Sequence, residues 1–180
     1  MHATKNTFAL WLKPNPVYYD YLSHIMLGLS HRFHSPVFEP HLTLFYGAIR
    51  NREALQFLFD QQLNNFSPIV LEVAGIFAEN EFFKTLFINF KENAFLNKLF
   101  AFVSRSLDSE VQYQLSPHLS LLYADMPLTE KMNLSRQTKI ELSEIQFDQL
   151  ELVKIPELHH VKNWSSVKIW NFKSTINEVR

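Results

Sequence analysis

Two segments 77 positions apart spell nearly the same eight residues: Pro40-His41-Leu42-Thr43-Leu44-Phe45-Tyr46-Gly47 and Pro117-His118-Leu119-Ser120-Leu121-Leu122-Tyr123-Ala124. In each, apolar and polar residues alternate behind a proline, and β-favouring types cluster, so both read as strands. Side chains two apart on a strand share a face, so His41 and Thr43 point one way and Leu42 and Leu44 the other. His118 and Ser120 stand in the same relation to Leu119 and Leu121. Each strand then packs a core on one side and offers an imidazole and a hydroxyl on the other. Two such strands brought face to face make a cleft with two histidines and two hydroxyls.

Chance does not account for the pair. With 8 histidines in 180 residues, a bare His-x-Ser/Thr is expected about once from composition alone; His2-Ala3-Thr4 is such a match and carries no weight. The fuller pattern, Pro-His-apolar-Ser/Thr-apolar, is expected roughly 0.01 times per chain and occurs twice.

The rest of the chain follows an order that repeats. Residues 7–13 read as a strand with Trp11 on one face. Asn15 caps a helix with Pro16 in its first turn, and Tyr18, Leu22, Ile25 and Leu29 recur at helical spacing until Ser35-Pro36. After the first histidine strand, Asn51 caps a second helix with Leu55, Leu58 and Phe59 on its apolar face. Strands follow at 69–77 and 82–90, with Glu79-Asn80-Glu81 as the turn. A third helix over 92–107 repeats apolar residues at 95, 96, 99, 102 and 103, and a polar link leads to the second histidine strand. A weaker helix at 127–138 has Leu128 and Met132 as its inward residues. One or two strands at 140–155 and a last strand at 164–172 close the order. Helix, histidine strand, helix and strand pair thus occur twice. This predicts an α+β fold: a bilobal, duplicated unit with pseudo-two-fold symmetry, two antiparallel sheets lining a central cleft, and helices on the outer faces.

Composition narrows the partners. The chain is 47% hydrophobic with 17 phenylalanines against 3 glycines, ample material for one dense core. A net charge of −1 with no basic run argues against long duplex nucleic acid, which demands many phosphate contacts. A small phosphate-bearing ligand or a single RNA end stays compatible. Without cysteine there is neither disulfide nor thiolate chemistry, and a reducing compartment is implied. The apolar run at 8–12 is too short for a signal core, and no stretch approaches a membrane span. The expectation is a cytoplasmic, monomeric protein away from membranes.

The paired motifs resemble the 2H phosphoesterase superfamily. The wording Ser35-Pro36-Val37-Phe38-Glu39-Pro40-His41-Leu42-Thr43, with Pro117 to Ala124, Phe82-Phe83 and the segment around Trp164, resembles its cyclic phosphodiesterase branch. The likeness covers most of 7–47 and 75–172 and is poorest over 49–66. It implies that residues 1–180 form a single domain of two lobes around a water-filled cleft. It further implies a metal-independent phosphodiesterase opening ADP-ribose 1″,2″-cyclic phosphate and nucleoside 2′,3′-cyclic phosphates to the 1″- or 2′-phosphate. By position, His41 and His118 are then catalytic and Thr43 and Ser120 bind phosphate oxygens, with Trp11 and Tyr123 near the ligand. Some members of the family carry a disulfide that this chain lacks.

These residue types suit that chemistry. Opening a cyclic phosphodiester with water needs one base and one acid, and imidazoles near pKa 6.5 can serve as both at one pH. Hydroxyls donate to the non-bridging oxygens as charge builds. Two imidazoles make a metal unnecessary, and no cofactor is expected. His118 is assigned as base and His41 as acid, an order that pseudo-symmetry permits to be reversed. Trp11 is open between core filling and base stacking. Strict alternation turns Tyr123 away from the cleft unless the strand bends or ends. Glu39 is expected at the surface or in a turn. His31, His34, His159 and His160 have no legible carboxylate or cysteine partners for a metal and are expected to be solvated. Two other functions stay open: another 2H activity on RNA ends, such as 2′-5′ ligation or exonucleolytic trimming, and a non-catalytic nucleotide-binding module.

Overall fold

The computed structural model describes residues 7–107 and 113–173; His2-Ala3-Thr4 and most of the polar link before the second motif lie outside them. The elements run β1 (Thr7–Pro14), α1 (Pro16–Phe33), β2 (Leu42–Ala48), α2 (Arg52–Gln62), β3 (Ile69–Phe77) and β4 (Leu86–Phe90), then α3 (Ala94–Ser106), β5 (His118–Leu122), α4 (Leu128–Gln137), β6 (Glu144–Lys154) and β7 (Ser165–Asn171). The repeated order α1-β2-α2-β3-β4 and α3-β5-α4-β6-β7 is the duplication expected from sequence. Caps act where the sequence placed them: Asn15 accepts from Tyr18 N–H and Asn51 from Ala54 N–H, satisfying donors that a helix start leaves unpaired.

All strand pairings are antiparallel, in two sections. One is β7-β6-β1-β2 and the other β3-β4-β5. They join at two places: residues 69–72 of β3 pair with 144–147 of β6, and Leu42 of β2 pairs with Leu119 of β5. The extra β1–β6 pairing closes the circuit. On the outer side, α1 packs on β1 and β5, α3 on β2, and α4 on β3 and β4. Leu22 and Met26 of α1, and Leu96, Leu99 and Val103 of α3, share one buried cluster with Leu42, Leu44, Leu119 and Leu121. Burying each such side chain contributes about 1.5–3 kcal/mol, and this cluster fixes the other face of each histidine strand toward the cleft.

Three local expectations are corrected. The strand expected over 82–90 begins only at Leu86, because residues 82–84 form a short 3-10 turn. Glu79 N–H donates to Lys84 O, and the Lys84 ammonium to the Glu79 carboxylate at 3.1 Å. The buried Thr85 hydroxyl anchors the turn, donating toward Phe82 O and Ala124 O and accepting from Ala124 N–H. In α4 the inward residues are Lys131 and Leu134, while Leu128 and Met132 are 40% and 41% exposed. The Lys131 ammonium reaches Glu81 O at 3.0 Å, so its stem covers apolar surface while its charge stays hydrogen-bonded. In α3, Phe95 stands 72% exposed, one position off the buried 96-99-103 stripe.

Candidate active site

The single Leu42–Leu119 pair sets the geometry of the site. Both leucines are fully buried, so their sequence neighbours face the opposite side. Extending that antiparallel register by one residue each way sets His41 across from Ser120 and Thr43 across from His118. The leucine pair is thus the point about which the two motifs are matched. Both motifs therefore turn toward one cavity of about 310 Å³, lined among others by His41, Thr43, His118, Ser120, Trp11 and Tyr123.

Each histidine strand then carries a β-bulge at the same motif position. Leu10 faces Phe45 and Trp11 faces Thr43, so Leu44 is the extra residue on β2; Leu86 faces Leu122 and Phe87 faces Ser120, so Leu121 is the extra one on β5. A bulge puts two consecutive side chains on nearly the same face and shifts the alternation by one. Leu44 with Phe45, and Leu121 with Leu122, are accordingly all in the core. The next residues, Tyr46 and Tyr123, swing to the cavity. This resolves the sequence-based objection to Tyr123, and it adds Tyr46, which alternation hid although it occupies the matching place in the first motif.

Both imidazoles are tied down in the same way. His41 Nδ1–H donates to Glu39 O at 2.6 Å and His118 Nδ1–H to Ser116 O at 2.6 Å. The intervening Pro40 and Pro117 have fixed φ and hold the preceding residue extended, which pre-sets each acceptor carbonyl. A carbonyl can only accept, so the proton of the neutral ring sits on Nδ1 and the Nε2 lone pair is left available. Burial pushes the His41 pKa from 6.5 down to about 3, with Lys13 and His118 adding to the shift and the Glu39 carbonyl opposing it. His118 is lowered mainly by burial and further by Lys84, against Ser116 O and the nearby Glu79 and Glu81 carboxylates.

The two hydroxyls differ. Ser120 Oγ donates to Phe83 O at 2.7 Å, so in this state its proton points at the backbone. Thr43 is half-buried in the cavity wall; its carbonyl accepts from the Tyr113 hydroxyl at 3.5 Å, and its own hydroxyl has no hydrogen-bond partner among the described residues. Trp11 lies flat on His41, with centroids 3.9 Å apart and planes at 16°, so the imidazole takes one face of the indole. The half-buried Phe83 and Trp164, 6.4 Å apart, supply further aromatic wall. Tyr123 stacks on Phe38 at 3.6 Å, and burial raises its pKa well above the usual tyrosine range.

Lys84, Tyr46 and Tyr113 also line the cavity, and sequence patterns did not single them out. Lys84 depends on the 3-10 turn, and Tyr113 lies five residues before His118 outside any strand. Only Tyr46 had a usable signal, its alignment with Tyr123. Glu39 is at the surface, as expected, but its carbonyl holds His41 and its carboxylate pairs with Lys13. His160 pairs with Glu157 at 2.6 Å on the surface, and the exposed His159 packs on Phe82 and on Phe83 of the cavity wall. Among the described residues no group of three or more His, Cys, Asp or Glu is placed to hold a metal, and no helix is long and apolar enough to cross a membrane.

A duplicated α+β unit with two His-x-Ser/Thr strands converging on its cleft has the fold of the 2H phosphoesterases. Within that superfamily, the chain belongs to the cyclic phosphodiesterase-like protein family, whose sequence profile matches residues 7–180. It is 20% identical over 173 residues to the cyclic phosphodiesterase of Arabidopsis thaliana, covering 93% of this chain and 96% of that one. Among solved structures it resembles E. coli LigT complexed with 3′-AMP, with TM-score 0.60 and 10% identity over 94% of this chain and 99% of that one. It also resembles Kluyveromyces marxianus Usb1, with TM-score 0.55 and 14% identity over 91% and 97% of the two chains. LigT has further been solved with ATP and with NADP+.

Proposed function

We propose that this protein is a metal-independent cyclic phosphodiesterase. It opens nucleoside 2′,3′-cyclic phosphates, or ADP-ribose 1″,2″-cyclic phosphate, to the 2′- or 1″-phosphate by two-histidine acid–base catalysis. The observation that carries this is the matched anchoring of His41 and His118. Two imidazoles line one cavity, each with Nδ1–H committed to a carbonyl and Nε2 free for proton transfer. The cavity volume is at the small end of ligand sites, ~300–1,000 Å³, and suits one nucleotide.

In the reaction one Nε2 takes a proton from water as its oxygen attacks phosphorus. The other Nε2–H gives a proton to the departing ribose oxygen. Each transfer contributes typically ~10²–10⁴ in rate. Thr43 donates to a non-bridging oxygen directly, and Ser120 does so by turning its proton from Phe83 O to the phosphate. The field around the rings favours the reverse of the order assigned from sequence. His41, buried beside the Lys13 charge, is held neutral, the form a base needs. His118 is lowered too, by burial and by Lys84, but the Glu79 and Glu81 carboxylates oppose the shift there, so it is the ring that more readily carries the proton when a phosphate anion arrives. His41 is therefore the proposed base on water and His118 the acid.

The test is incubation with a 2′,3′-cyclic nucleotide and with ADP-ribose cyclic phosphate, identifying the product isomer, alongside His41→Ala and His118→Ala. Release of the 2′- or 1″-phosphate by the wild type alone supports the proposal. Preferential cleavage or joining of RNA ends indicates another 2H activity. Tight binding without turnover indicates a binding module.

A further inference from the structure

Beside His41 lies a cluster of charges that the proton transfers do not use. Lys13, near the end of β1, is 4% exposed, and Glu151 on β6 is equally buried. The Lys13 ammonium pairs with the Glu39 carboxylate and lies 3.4 Å from that of Glu151. It also sits 5.7 Å from the Trp11 ring centroid and 5.0 Å from that of Tyr19 on α1. Burial, then Glu39 and Glu151, push the Tyr19 hydroxyl up to about 12, so that neighbour stays neutral.

Two partners of this ammonium are the two groups that hold the His41 ring. Glu39 O accepts the Nδ1–H on one edge, and Trp11 covers one face. The cation anchors the residue carrying the first and lies near the ring forming the second. The second motif is built differently. Ser116, which supplies the matching carbonyl to His118, is neutral, and no lysine or carboxylate contact to it is found among the described residues.

We propose that Lys13 is a positioning residue for His41, acting through the Glu39 backbone and the Trp11 indole. This rests on the assignment of His41 to the chemistry. A buried charge held between two carboxylates resists displacement, because breaking the cluster leaves an uncompensated ion in the interior. The clamp thereby limits rotation of the imidazole and keeps its Nε2 aimed at the phosphate site. Small misalignments at a reacting atom are costly, with about 10²-fold lost for an ångström. The groups facing His41 are Lys13 from β1, Glu39 from the segment before β2, and His118 from β5, with Glu151 and Tyr19 behind Lys13. Removing Lys13 therefore also lets the ring take up a proton at a higher pH.

The experiment compares wild type, Lys13→Met, Lys13→Met/Glu151→Leu and Glu39→Gln. The double variant replaces the buried ions by apolar groups and keeps the fold testable if the single variant unfolds. Kinetics are read on a 2′,3′-cyclic nucleotide, and ¹⁵N NMR reports the His41 tautomer and titration in the free protein. Expected are a kcat loss of about 10- to 100-fold in both Lys13 variants with KM within about twofold, and His41 drifting from a pure Nδ1–H tautomer to a mixture. Its titration should also move toward neutral pH. Glu39→Gln, which keeps the carbonyl but removes one of the two counter-charges of Lys13, should shift the His41 tautomer the same way by less than either Lys13 variant. Folded Lys13 variants with unchanged kcat and an unchanged tautomer would overturn the inference while leaving the function intact. A wild type inert on both cyclic phosphates would overturn the function, and the NMR measurement would still decide whether Lys13 holds the ring.

Discussion

The protonation of His41 makes a quantitative prediction for stability. In the folded chain its pKa lies at about 3 against 6.5 for the free side chain, chiefly through burial. Between those values the unfolded chain binds a proton that the native chain does not, so stability rises with pH there. The contribution is full above 6.5 and is lost as pH falls toward 3. The slope approaches 1.4 kcal/mol per pH unit, so about 2 kcal/mol should disappear between neutral pH and pH 5. The perturbation that isolates it is His41→Gln, which removes this titration and leaves the remaining carboxylates and histidines. Urea unfolding of both proteins at half-unit steps from pH 7.5 to 4.5 gives the two curves. Their difference should shrink on acidification with the slope above. Saturating 2′-nucleotide product should flatten the wild-type dependence, because the phosphate anion favours the imidazolium. Parallel curves without ligand would mean that His41 is not held neutral, and the assignment of this ring as the base would be refuted.

Other measurements bear on neighbouring parts of the site. Thr85→Val keeps the shape of a buried side chain but strips partners from Ala124 N–H, Ala124 O and Phe82 O; it should cost about 2–4 kcal/mol in urea unfolding. A loss below 0.5 kcal/mol would show that this hydroxyl does not anchor the 3-10 turn. Thr43→Val removes a hydroxyl whose removal strands no described partner, so kcat should fall about 10²-fold with the unfolding midpoint nearly unchanged. Activity should follow a bell-shaped pH profile and survive EDTA; full loss on chelation with recovery on adding a divalent ion would refute the two-imidazole mechanism.

How much of this was legible in the sequence depends on the range of the interaction concerned. The strand faces of His41, Thr43, His118 and Ser120, the caps at Asn15 and Asn51, and the duplicated element order are set by neighbours a few residues apart, so alternation and helical spacing reveal them. The repeated eight-residue wording even encodes its own bulge, in the consecutive apolar pairs Leu44-Phe45 and Leu121-Leu122. Local pattern misjudged α4, because a lysine stem can be buried once its ammonium meets Glu81 O, 50 positions away. It also misplaced the start of β4, where Thr85 is claimed by Ala124.

Tertiary structure alone decided three things. The pairing of Leu42 with Leu119 turned two separate motifs into one site. The 3-10 turn brought Phe83 and Lys84 to the cavity. The burial of Lys13 between Glu39 and Glu151 made the surroundings of the two histidines unequal. The first two are contacts between residues remote in the chain, which no local spacing records. The third is a matter of dielectric, since a lysine and two glutamates on a linear sequence carry no sign of whether water will reach them.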